Sequence, residues 1–356
     1  MTSALWLSSL LFLLALYISP FMFGYAGWYG LYGYRQTLFY IPFQQLLFIG
    51  PIFLFYLKTL LYPAYSFTKR DWLHFLPGIL YLAYSLLVFV VDILILEEIY
   101  FYKDGKDKDL LPWYQITGFI SMIAYFILSF RLYLDYRKNI FNTLSYAEEI
   151  TYNWVRLFLL TFLLIIVLRI LFFIFNPEWA EFGRKLWYYL AISFVAYFLA
   201  IKGSRQSILL SVSTIQDLTK GLTLDILENQ SEEVSVEKEE TTFNHEVWLQ
   251  RIEQKMQEED LYKNSALTLL DLAQALDTTT KTISQTVNQG TGLNFNDYIN
   301  RFRIEAFKDE ILAKRHEQLT LLGIAIACGF NSKSTFNRAF KKHSGQSPSE
   351  FLRNLE

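Results

Sequence analysis

Leu319–His343 reads LTLLGIAIACGFNSKSTFNRAFKKH, and this stretch decides the fold of the C-terminal part of the chain. Ile324, Ala325 and Cys328 share one face at helical spacing, which predicts a short helix. Gly329 supplies the conformational freedom that a tight turn needs. Asn331 or Ser332 is placed to cap a second helix. In that helix Phe336, Ala339 and Phe340 point inward, leaving Lys333, Ser334, Asn337, Arg338 and Lys341 outward. Four basic residues (Lys333, Arg338, Lys341, Lys342) and no acid lie between Asn331 and Gly345.

Moving toward the N-terminus, Leu267–Gln289 (LTLLDLAQALDTTTKTISQTVNQ) repeats the scheme. Leu269, Leu272, Ala273 and Leu276 form an apolar stripe, and Asp277–Thr280 breaks the helix and offers N-caps. Ile283 and Val287 face inward in the second helix, so Lys281, Ser284, Gln285 and Asn288 share its outer face. Lys and Arg bind phosphate, whereas Arg, Asn, Gln and Ser reach base edges in the major groove of duplex DNA. Two helices with such faces fit a nucleic-acid surface.

The block resembles the AraC/XylS-type DNA-binding domain over about residues 261–353. The resemblance is carried by Ile324-Ala325-Ile326-Ala327-Cys328-Gly329-Phe330, by Ser334-Thr335-Phe336-Asn337-Arg338-Ala339-Phe340-Lys341-Lys342, and by Gly345-Gln346-Ser347-Pro348-Ser349-Glu350-Phe351. The helix around Asn296–Lys314, with Tyr298, Arg301 and Arg303, is similar to that family's central linker helix. The resemblance implies two recognition helices entering successive major-groove faces. Lys281, Ser284, Gln285, Lys333, Ser334, Asn337 and Arg338 would lie nearest the bases, with Lys341 and Lys342 by the backbone. Homodimerisation and RNA polymerase as a partner, for an activator, are implied by resemblance alone.

The N-terminal half obeys other rules. Aromatic residues make up 18 % and charged residues 19 % of the 356-residue chain, at a mean hydropathy of +0.23. From Met1 to Leu57 the only charge is Arg35, which no soluble surface tolerates. Six stretches approach the roughly 20 apolar residues that a spanning helix needs: Ala4–Gly24, Leu38–Leu57, Leu73–Leu96, Leu110–Phe130, Leu157–Phe175 and Leu186–Ile201. Pro51 and Pro77 inside two of them are expected to kink. Trp28-Tyr29, Trp113-Tyr114 and Trp187-Tyr188-Tyr189 are placed for interfacial belts. With both termini inside, the inner segments carry nine Lys and Arg and the outer loops six, in the sense of the positive-inside rule.

Gly50–Leu61 and His74–Leu87 resemble the integral-membrane region of AraC-type regulators of Bacteroidetes. Those regulators usually carry seven spans, one of them ahead of the counterpart of Ala4–Gly24.

The expected fold is all-α: a polytopic transmembrane helical domain (1–203), a juxtamembrane helix and acidic linker (204–245), and a DNA-binding domain (246–356) of two helix-turn-helix units joined by a long helix. Glu228–Glu240 holds six acids against one Lys and reads as a solvated linker. The expected location is the bacterial inner membrane, multi-pass, with the C-terminal domain cytoplasmic. Expected partners are double-stranded DNA, the lipid bilayer and an unknown small-molecule or envelope signal. A transporter or receptor with a protein-binding tail is the rival reading.

Asp92 and Arg169 are ionisable residues inside spans and candidates for a sensing site, either as an ion pair lining an outward-facing pocket or as side chains that each snorkel to the nearby interface. Lys103–Asp109 (KDGKDKD) lacks the spacing of an EF-hand and reads as a solvated loop. The four histidines are scattered without metal-ligand spacing, so neither metal nor cofactor is expected. Cys328, the single cysteine, reads as core. No catalytic motif is present, and no enzymatic activity is expected.

Overall fold

The computed structural model describes residues 3–31, 34–62, 64–103, 107–147, 153–175, 186–212 and 245–355. Among these residues every regular element is helical, apart from one isolated antiparallel bridge between Leu144 and Thr268. The chain divides into two units, Met1–Tyr133 with Asn153–Val236, and Leu134–Tyr152 with Glu237–Glu356.

The first unit holds α1 (Ser3–Tyr25), α2 (Tyr34–Tyr40), α3 (Leu46–Leu61), α4 (Leu76–Phe89), α6 (Asn153–Phe175) and α7 (Leu186–Val212). It also holds most of α5 (Pro112–Thr143), which runs on into the second unit. Among the described residues five helical segments are long and apolar enough to cross a membrane: Ser3–Tyr25, Lys69–Ile95, Pro112–Thr143, Trp154–Phe175 and Leu186–Gly203. The acidic linker expected at Glu228–Glu240 lies outside the described residues, as do the outer-loop charges Lys106, Arg184 and Lys185.

The second expected span is corrected. The stretch at Leu38–Leu57 is not one helix, because the chain leaves helical geometry between α2 and α3. Pro42 removes a backbone donor there and biases Ile41 away from the helical region. The helix restarts at Leu46 and is 16 residues long, about 24 Å at ~1.5 Å per residue. Pro51 sits inside it, whereas Pro77 occupies the first turn of α4, where its missing N–H costs nothing. Pro77 is therefore a helix start and not a kink.

α3 packs on α1, and α1 on α7. Phe53 stacks on Phe162 at 3.8 Å between centroids, and the Trp154 indole N–H donates to the Tyr56 hydroxyl at 2.6 Å. Glycines allow helices to close up: a Cβ at Gly50 would lie 2.6 Å from the Tyr125 ring, and one at Gly118 would lie 2.5 Å from Leu46 Cβ. The aromatic clusters at the helix ends differ in exposure. Trp28, Trp113 and Trp187 are exposed, but Tyr114, Tyr188 and Tyr189 turn inward and are buried.

Two polar expectations are also corrected. Asp92 and Arg169 do not pair. Asp92, in a π-helical turn (Val90–Ile95) that prolongs α4, accepts from the Tyr40 hydroxyl at 2.7 Å and the Phe101 amide at 3.1 Å. Arg169 donates to Gln115 Oε1 at 2.6 Å and to the Tyr17 hydroxyl at 3.3 Å. The partners of both are neutral groups nearby, and the Arg169 Nε is buried without a hydrogen-bond partner.

Asp109 is not solvated either. It is buried and accepts from the Gln44 amide and the Tyr81 hydroxyl. Burial raises the Asp109 carboxyl above the ordinary carboxylate range, and burial together with repulsion from Asp109 raises that of Asp107. The folded chain therefore holds protons that the unfolded chain has released, so stability is present below about pH 4 and falls as pH rises through the raised values. The melting temperature of the detergent-solubilised protein is expected to drop between pH 5 and 8, and Asp109→Asn to flatten that slope. A melting temperature that rises over this range in the native chain and is unchanged by the substitution would refute the account.

The second unit is built on α8 (His245–Glu258), α9 (Leu269–Ala275), α10 (Thr280–Thr291), α11 (Phe295–Leu312), α12 (Leu321–Ala327), α13 (Lys333–Ser344) and α14 (Pro348–Arg353). Two separate cores form. Ile252, Met256, Leu269, Leu272, Ile283 and Val287 close on Phe295, Tyr298 and Ile299 at the start of α11. Ile324, Ala325, Cys328, Phe330, Phe336 and Phe340 close on Ile304, Phe307 and Ile311 at its end. α11 is thus the shared beam of two small globules.

Candidate nucleic-acid interface

Each helix pair is defined by its caps. The Thr268 hydroxyl accepts from the Asp271 amide at 3.1 Å while the Asp271 carboxylate accepts from the Thr268 amide at 2.8 Å, a capping box that starts α9. After a turn through Asp277, Thr279 caps α10 by accepting from the Thr282 amide. In the second pair Thr320 caps α12 and Ser332 caps α13. Of the two candidates for that last cap, Ser332 is the one used. Asn331 donates instead to the Ser265 carbonyl at 3.2 Å.

Gly329, at φ +97°, makes the turn between α12 and α13. A Cβ there would sit 2.4 Å from the Tyr262 carbonyl oxygen, so the backbone of the first pair's entry loop touches the turn of the second. Gly292 and Gly345, at φ +69° and +75°, end α10 and α13.

The buried faces are those that the periodicity predicts. Ile283 and Val287 of α10, and Phe336, Ala339 and Phe340 of α13, are buried. On the outer face of α10 Lys281 and Gln285 are exposed and Ser284 is half-buried, with Asn288 donating to the Ser284 hydroxyl at 3.2 Å. On α13 Lys333, Ser334, Asn337, Arg338, Lys341 and Lys342 are all exposed. Lys342 differs in its surroundings, since its ammonium lies 2.5 Å from Asp297 in the first turn of α11. That contact is half in water and worth little energy by itself, but it turns part of this charge toward the beam. Burial lowers the pKa of His343, so it is neutral at pH 7 and adds no charge to this face. Burial pushes the Cys328 thiol up to about 11, which leaves it an unreactive core group. Among the described residues no cluster of three His, Cys, Asp or Glu side chains is placed to hold a metal ion.

A buried polar row on α11 has no counterpart in the outer-face reasoning. Asn296, Asn300 and Arg303 are almost wholly buried, at 0, 1 and 1 % exposure. Arg303 donates to the carbonyls of Tyr262 (2.8 Å), Asn264 (2.9 Å) and Ser145 (3.3 Å), to Asn300 Oδ1 (3.3 Å) and to the Ser145 hydroxyl (3.0 Å). Spacing at i, i+4 and i+7 puts these residues on one helix face, yet polar residues at that spacing usually mark a solvated face. Sequence alone therefore carries no sign of the burial.

Comparison with known proteins agrees with this geometry. Residues 272–354 match the family described as "Helix-turn-helix domain", so the chain carries an AraC-type helix-turn-helix domain at its C-terminus. The chain is 36 % identical over 89 residues to the protein described as "Uncharacterized HTH-type transcriptional regulator YijO" of Escherichia coli (strain K12). That match takes in 25 % of this chain and spans 30 % of the relative's length. No solved structure matches the chain.

Proposed function

We propose that this protein is a membrane-bound, sequence-specific DNA-binding transcription regulator whose apolar N-terminal helices anchor and control the reader. The observation that carries the reading is a pair of capped helices, α10 and α13, each backed by its own core and each presenting amide, hydroxyl and basic groups outward. Lys281, Ser284 and Gln285 read one segment of the major groove, and Lys333, Ser334, Asn337 and Arg338 the adjacent one. Lys341 and Lys342 neutralise phosphate. The protein sits in the bacterial inner membrane with this domain in the cytoplasm, acts as a homodimer, and activates transcription through contact with RNA polymerase. Asp92 and Arg169, buried polar groups among apolar helices, are the sensing candidates for a small-molecule or envelope signal.

The test is selection of bound duplexes from a random pool by the full-length protein in lipid nanodiscs. An enriched motif is expected. Arg338→Ala is then expected to weaken the selected site by about 10–100-fold and to relax one base position, as loss of a base contact worth about 1–3 kcal/mol does. Lys341→Ala is expected to lower the slope of log affinity against log salt by about 1 with specificity unchanged. A pool that emerges without any motif sinks the reading.

A further inference from the structure

The segment Leu144–Ala147 follows α5 directly and stands between two apolar helices, α5 and α6. It belongs with the second unit. Leu144, Ser145 and Ala147 are fully buried at 0 % exposure. Its backbone is received as a sheet edge would be: Leu144 bridges Thr268 antiparallel, and the Ser145 amide donates to the Leu267 carbonyl at 3.1 Å. Asn296 Nδ2 donates to the carbonyls of Ser145 (2.8 Å) and Leu144 (3.3 Å). Arg303 grips both the carbonyl and the hydroxyl of Ser145.

The same guanidinium is the keystone of the second unit. It holds the entry loop of the first helix pair through Tyr262 and Asn264. It lies 5.9 Å from the Phe330 ring, and its Nε is 3.0 Å from the Cβ position of Gly329, both at the turn of the second pair. Three parts of the chain therefore converge on one buried cation: the first pair, the second pair and the segment after α5. Buried donors of this kind are costly to leave unsatisfied, more so when charged, so an empty seat forces Asn296 and Arg303 to find other partners.

We propose that Leu144–Ala147 is the coupling element of the protein: seated, it locks the two helix-turn-helix pairs at one relative setting, and its withdrawal by α5 releases that setting. α5 is 32 residues long without interruption, about 48 Å at ~1.5 Å per residue. A shift or rotation of its apolar end is therefore delivered to Ser145 with little loss. The lever is the pairing of Ser145 with Arg303 and Asn296, and the bistable element is the joint between the two cores. The proposal deepens the reading of the second unit as a DNA reader under membrane control and rests on it.

The experiment uses the full chain in nanodiscs, with spin labels at Gln289→Cys and Ser349→Cys on a Cys328→Ala background; both label sites are exposed and lie off the proposed base-reading residues. Distances between the labels are measured in the native segment, in Ser145→Trp, which cannot fit the seat, and in Asn296→Leu, which removes the donors to the segment from the other side. A single narrow distance is expected in the native chain and a broadened one in both variants. Affinity for a duplex carrying both half-sites should drop about 10-fold or more, with affinity for either half-site alone unchanged, because only the linkage between the two is lost. An unchanged distance distribution in Ser145→Trp overturns the proposal, as does a loss of half-site binding equal to the loss of full-site binding in both variants. If the native chain shows no sequence preference yet its label distance still broadens in the variants, the DNA reading fails and the mechanical joint stands.

Discussion

Gly329→Ala is expected to destabilise the second helix pair by about 2–6 kcal/mol, enough to leave α12 and α13 largely unprotected in hydrogen exchange. Two costs add. At φ +97° an L side chain is strained, a penalty of about 1–3 kcal/mol. The added methyl also has nowhere to go: the Tyr262 carbonyl oxygen is 2.4 Å away and Lys263 Cα 3.0 Å. These are backbone atoms, so relief requires the entry loop of the first pair to move, at the cost of overpacking a closed joint, about 1–3 kcal/mol. Gly345→Ala is the control. Its φ is +75°, but nothing lies within 4 Å of a Cβ there, so only the strain, about 1–2 kcal/mol, should be seen. Equal losses from the two substitutions would show that the close approach at Gly329 is immaterial.

Arg303→Ala is expected to cost about 3–5 kcal/mol and, unlike Gly329→Ala, to loosen both helix pairs at once. The substitution abandons buried carbonyls of Tyr262, Asn264 and Ser145, each at about 1–3 kcal/mol before relaxation, and opens a cavity beside Phe330. Arg303→Lys should recover less than half of the loss, since one ammonium cannot reproduce a planar fork aimed at several acceptors. Arg301→Ala separates burial from charge. Arg301 is 40 % exposed and lies 3.5 Å from Glu253, so its removal should change stability by no more than about 1 kcal/mol. Urea denaturation of the full chain, followed by exchange protection of amides in α9 and in α12, checks all three. Protection lost in α12 but kept in α9 after Arg303→Ala would refute its role as a joint for both.

The helix-turn-helix pairs were legible in the sequence because their signals are local. Thr268, Thr279, Thr320 and Ser332 cap helices where a hydroxyl precedes an apolar stripe, and Ile283, Val287, Phe336 and Phe340 are spaced for one buried face. The outer residues follow by elimination, so Lys281, Gln285, Asn337 and Arg338 come out exposed as expected. What was not legible depends on tertiary context. Asn296, Asn300 and Arg303 look like a solvated stripe until the segment at Ser145, some 150 residues earlier in the chain, is seen to cover them. Asp109 looks like a loop charge until Tyr81 and the Gln44 amide close over it. Hydropathy marked the apolar stretches well but located Leu38–Leu57 poorly, because a window average cannot see that Pro42 ends a helix.

α3 carries a consequence of its own. Of its 16 residues, 13 are buried within the protein, whereas α4 leaves Leu80, Leu86 and Leu87 uncovered. A helix about 24 Å long falls short of a hydrocarbon layer roughly 30 Å thick, and in contact with acyl chains it would have to thin the bilayer. Sheathed by its neighbours, α3 would be screened from such chains if the outer helices lie in a bilayer. Lipids of longer or shorter tail would then act on exposed faces such as that of α4 and reach α3 only through its neighbours.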